Sequence, residues 1–106
     1  MIEIKFYEKD ERYGIKATGH AEYAAHGQDI VCAAVSTILQ GLGNYIDRVA
    51  DNYNWKVLEI KLEPGDINVE FINQSVTDYC FHMFHMVKCT LLDLADMYPA
   101  NIRIIY

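Results

Sequence analysis

The 106-residue sequence predicts an α+β fold in the order β-β-α-β-β-α-β: an antiparallel sheet built from two hairpins and a C-terminal strand, with two helices covering one face. Three observations lead there. Two pairs of short segments alternate apolar with polar residues, two longer segments repeat apolar residues every three or four positions, and turn-forming clusters separate them. The length suits one domain spanning residues 1–106.

Ile2, Ile4 and Phe6 alternate with Glu3, Lys5 and Tyr7. After the charged turn EKDER, Tyr13, Ile15 and Ala17 share a face, completing a hairpin. The second strand runs out at Thr18-Gly19-His20, and small and polar residues as far as Gln28 read as a loop. From Asp29 the spacing of Val31, Val35, Ile38, Leu42, Tyr45 and Val49 marks a helix ending near Asn52, with Asp29 as its N-cap. Leu58, Ile60 and Leu62 then share a face, EPGD turns the chain, and Ile67, Val69 and Phe71 form the partner strand. Val76, Cys80, Met83, Val87, Leu91 and Leu94 mark a second helix, stopped around Tyr98-Pro99 because proline disfavours helical geometry in the residue before it. NIRIIY closes as a strand. Phe81, Phe84, Met86, Leu92 and Met97 lie off the second helix's main stripe, and that surplus of apolar surface predicts a further layer or a homodimer.

Composition narrows the function classes. A formal charge of -6 without any Lys/Arg cluster argues against direct binding of nucleic acid, which needs several cationic contacts, and favours a basic protein or peptide. The N-terminal segment lacks the apolar core of a signal peptide, and the longest apolar run, IVCAAV, is far below the roughly 20 residues that span a bilayer. A cytoplasmic protein with no membrane contact is expected. Cys32, Cys80 and Cys89 are odd in number and lack CxxC spacing, so reduced thiols are expected, with neither a disulfide framework nor a zinc site.

Cys32 falls in the first turn of the predicted helix, where amide hydrogens and the helix dipole favour an anion. His20 leaves the strand before it, and the intervening loop could return the imidazole over the thiol. The Cys32 amide and its neighbours at the helix start could donate to an oxyanion. The competing reading of CAAV within an amphipathic helix is a small buried hydrophobe, and spacing leaves both open.

The blocks GHA at residues 19–21 and DIVCAAVS at residues 29–36, with the preceding hairpin and the YPANIRI ending, resemble the ribosomal-processing cysteine protease family Prp over essentially the whole chain. The resemblance implies a bacterial endopeptidase that removes the N-terminal extension from a basic large-subunit ribosomal protein, the twenty-seventh, without metal or other cofactor and as a homodimer. It assigns His20 as general base and Cys32 as nucleophile, with Gly19, Asp29 and Ser36 as supporting or oxyanion-region positions. The family's extension ends in aromatic residues followed by a small one, so an apolar groove is expected beside Cys32. Asp29 either orients His20 or only caps the helix. Ser36, one turn beyond Cys32, steadies the site or bonds its own helix. The loop 21–28 is a candidate lid hinged at Gly19 and Gly27. A noncatalytic dimeric module binding a ribosomal protein or peptide is the alternative, and another thiol hydrolase or acyltransferase a third. His26, nearer to Cys32 in sequence, reads as an exposed loop residue. On the second helix His85 and Cys89 are an i, i+4 pair with His82 one turn earlier, a spacing that presents two metal ligands on one face without an evident third and fourth.

Overall fold

The computed structural model describes residues 1–25 and 27–106. Its elements are β1 (Ile2–Lys9), β2 (Arg12–Thr18), α1 (Ile30–Tyr53), β3 (Trp55–Glu63), β4 (Asp66–Asn73), α2 (Tyr79–Met97) and β5 (Ile102–Ile105), in the order expected. The five strands form one sheet, β3-β4-β2-β1-β5. The two hairpins pair antiparallel and meet through an antiparallel β2/β4 contact, whereas β5 lies parallel to β1. The sheet is thus mixed, which corrects the expectation of a purely antiparallel one. The reason lies in α2. Its 19 residues, about 28 Å of helix, carry the chain back along the sheet to the end where β4 began. The strand that follows must run in the direction of β4, which β1 shares.

Register places the apolar residues in ranks across one face. Ile4 faces Ala17, which faces Ile67, which faces Leu62; Ile15 faces Val69, which faces Ile60. These ranks and the inner stripes of both helices share one apolar cluster. A bulge interrupts β3: Val57 pairs with Phe71 and Glu59 with Glu70, leaving Leu58 as the extra residue, exposed instead of sharing a face with Ile60 and Leu62.

The helix stripes also differ from the simple periodic reading. On α1 the buried line runs Val31, Val35, Leu39, Leu42, Ile46 and Ala50, and Tyr45 lies on the exposed flank. Helix α2 begins at Tyr79, so Val76 precedes it and is fully exposed. The segment between is held as a polar turn: the Asn73 side chain donates to the Thr77 carbonyl at 3.0 Å and accepts from Ser75 N at 3.0 Å, and Ser75 Oγ accepts from Thr77 N at 3.1 Å. These local bonds satisfy backbone groups that a helix would otherwise pair. Phe84, off the expected stripe, is fully buried and packs on Tyr13 with centroids 5.1 Å apart. Phe81, Met86 and Met97 remain exposed.

Burial beneath α2 pushes the Tyr13 phenol from its ordinary 10.0 up to about 12, with Cys80 and Glu11 adding to the effect. Because the folded state holds this proton more tightly, the associated stability is present below pH 10 and is lost as pH rises toward 12. Tyr13→Phe should therefore flatten the decline of Tm between those pH values, measured by thermal melts in a pH series.

Candidate active site

Gly19 follows β2 at φ 93°, in the left-handed region, and a Cβ there would collide with the Met1 carbonyl oxygen. Only glycine fits this exit. Its amide donates to the Gly65 carbonyl at 2.9 Å, so the strand leaves the sheet docked against the β3–β4 turn. That turn is Pro64-Gly65, with Gly65 at φ 73°, as a Pro-Gly pair at the centre of a type II turn requires. His20 comes next and is solvent-exposed. A Cβ built on Gly65 would lie 2.7 Å from His20 Nε2 and 2.9 Å from Cε1, so the imidazole rests on the turn where Gly65 has no side chain.

Cys32 is the third residue of α1 and is half-buried. Its Sγ accepts a hydrogen bond from Ala21 N at 3.2 Å. Ala21 is fixed in turn, being buried and having its carbonyl capped by Asn101 Nδ2 at 2.9 Å. The sulfur thus sits at the first turn of α1 with a backbone N–H aimed at it. His20 and Cys32 open onto the same cavity of about 540 Å3, and no hydrogen bond joins them in this geometry. Ser36, half-buried, lines the cavity as well.

Asp29 lies between the loop and the helix. Its Oδ1 accepts from Val31 N at 3.0 Å and Cys32 N at 2.9 Å, and its Oδ2 accepts from Tyr23 N at 2.9 Å and Ala24 N at 3.4 Å. The Cys32 amide leads the groups that hold this carboxyl below its ordinary 3.8. Both oxygens are engaged by backbone donors, so Asp29 caps α1 and fastens the loop, and makes no hydrogen bond to His20. The Cys32 amide, expected as an oxyanion donor, is here committed to Asp29. Tyr23 adds a second anchor to the loop, its ring meeting Tyr98 edge-on at 5.5 Å. Gly27 has φ 87°, and His26 lies outside the described residues.

Asp29→Ala should lower Tm by roughly 5 °C through loss of the cap, and should expose the Tyr23 and Ala24 amides to rapid hydrogen exchange. The same contacts depend on pH. With the folded carboxyl titrating below its unfolded value, their stabilisation is present above about pH 3.8 and disappears as pH falls through the lower folded value.

The roles of Ala21, Gly65 and Asn101 had no sequence signal, since they act through a backbone amide, an absent side chain and a contact 80 residues away. On α2, His85 bonds Glu8, and His82 lies 3.6 Å from Asp78. Among the described residues no three His, Cys, Asp or Glu side chains group as a metal site, and no helix is long and apolar enough to cross a membrane.

Comparison with known proteins gives one family. The model of the family described as cysteine protease Prp matches residues 1–103. Among solved structures, the essential ribosomal processing protease Prp from S. aureus with a covalently linked product peptide is similar at a TM-score of 0.81, with 24% identity over 100% of this chain and 99% of that one. The same protease with a substrate peptide matches at 0.72 and 23% over the same shares. SMU.848 from Streptococcus mutans matches at 0.66, with 26% identity over 98% of this chain and 91% of its own. No curated protein matches.

Proposed function

The chain belongs to the cysteine protease Prp family, and from that premise we propose that it cleaves the N-terminal extension of a basic large-subunit ribosomal protein, the twenty-seventh, using Cys32 as nucleophile and His20 as general base. The observation that carries this reading is the Cys32 sulfur, hydrogen-bonded by Ala21 N and opening onto the cavity that His20 also lines.

In the proposed cycle His20 takes the Cys32 proton, and the thiolate attacks the scissile carbonyl carbon as electrons move to its oxygen. Collapse of that tetrahedral adduct breaks the C–N bond, and the imidazolium gives its proton to the departing amine. His20 then removes a proton from water as the water attacks the thioester, and Cys32 leaves with the new carboxyl end released. Gly19 shapes the strand exit, Asp29 fixes the helix start and loop, and Ser36 flanks the cavity. The cavity floor reaches the buried apolar residues Ala17, Val35 and Ile67; of the acidic residues beside it, Asp66 pairs with Lys61 at 2.7 Å and Glu22 lies 3.7 Å from the Met1 amino group.

Exposed Phe81, Met86 and Met97 on α2 support a homodimer through that helix, and the absence of a membrane-crossing helix among the described residues fits action in the cytoplasm. The test is to incubate the protein with a peptide that has two aromatic residues followed by alanine and to identify the products by mass spectrometry. A single cut after the aromatic pair is expected. An intact peptide, or cuts scattered along it, would overturn the assignment.

A further inference from the structure

We propose that Gly65 is a positioning residue for His20: its missing side chain forms a seat in the cavity wall that holds the imidazole back and leaves the cleft clear for a peptide. This rests on the protease reading above.

Three observations converge. The imidazole lies so close to the turn that a Cβ on Gly65 would stand 2.7 Å from Nε2 and 2.9 Å from Cε1, inside any van der Waals contact. The backbone beneath is held, because Gly65 also accepts the Gly19 amide at 2.9 Å and sits between paired strands, with Glu63 opposite Asp66. The ring, at the end of an exposed side chain, is the cheaper group to move. Finally, His20, Pro64, Gly65 and Asp66 line one side of the cavity that Cys32, Ala33 and Ser36 also line. A ring driven off the turn has both this cavity and open solvent beside it, and the proposal is that it takes the cavity. With Gly65 present, an entering peptide meets an unobstructed cleft, and the imidazole turns from its seat to Cys32 for catalysis.

The seat can be observed without substrate. In the unmodified protein, an NMR cross-peak between the His20 ring protons and the Gly65 α-protons is expected, and its absence would overturn the proposal. Function is read from two substitutions. Gly65→Ala adds a Cβ and strains the left-handed backbone, whereas Gly65→Asn adds a Cβ at a residue that tolerates this conformation. Both should weaken binding of the fluorescent aromatic-rich peptide to the noncleaving Cys32→Ala protein by about tenfold, and in the active enzyme both should raise KM more than they lower kcat. Recovery in Gly65→Asn would mean that turn strain, not the ring, was responsible.

Combining Gly65→Ala with His20→Ala removes the ring that would obstruct the cleft, so peptide affinity should return. Weak binding that persists in this double variant would assign Gly65 a merely structural role. If the active enzyme leaves the peptide uncut while the cross-peak is present and responds to substitution, the protease reading fails and the seat stands.

Discussion

Cys32→Ala is expected to abolish cleavage, lowering kcat by at least about 10⁴-fold, while leaving the fold and peptide affinity nearly unchanged. The size of the loss follows from chemistry: without sulfur, no acyl-enzyme forms, and the remaining groups must direct water at an unactivated amide. Affinity should survive because alanine removes only a half-buried thiol whose hydrogen bond is to Ala21 N. The informative comparison is cleavage against peptide binding by fluorescence anisotropy in the same preparation. Equal cleavage by mutant and parent would eliminate the nucleophile assignment. Absence of cleavage by both, with binding retained, would favour a noncatalytic peptide-binding module. If the parent instead passes a trapped acyl group to an added amine in preference to water, the scaffold serves acyl transfer.

His20→Ala should lower kcat by roughly 10² to 10⁴ and slow alkylation of Cys32 by iodoacetamide at neutral and mildly acidic pH. The second measurement needs no peptide. The Ala21 N–H and the positive end of α1 remain in the variant, so part of the thiol's reactivity should persist, and that fraction measures what the backbone contributes. An alkylation profile unchanged across pH would remove His20 from the activation scheme.

The order of elements was legible because their periods differ: alternation over residues 2–7 and 13–17 cannot be mistaken for the three-to-four spacing that begins at Val31. Asp29 as an N-cap was legible too, since a short carboxylate just before a helical period has few better uses. Its second task, binding the Tyr23 and Ala24 amides, was hidden because it depends on how the loop folds back. Leu58 and Phe84 misled for complementary reasons. A bulge adds a residue without changing composition, and a helix face is chosen by what packs on it, here Tyr13, as much as by its own spacing. The direction of β5 followed from the path of α2 and had no local signature. Gly65 read as turn chemistry, which it is, while its contact with His20 joins segments 45 residues apart.

Asn101 gives the site a place in time. Its side chain caps the Ala21 carbonyl, and its own carbonyl receives the Ile2 amide just before β5 pairs with β1. A ribosome delivers residues 1–36 first, so the thiol and imidazole emerge long before the segment that braces them. Until residues 101–105 have left the exit tunnel, β1 lacks its parallel neighbour and Ala21 lacks its tether, and contacts this distant in sequence are the last to form. The nascent chain thus carries the proposed nucleophile before the contacts that brace it exist, and full reactivity of the Cys32 thiol is expected only once residues 101–105 have joined the sheet.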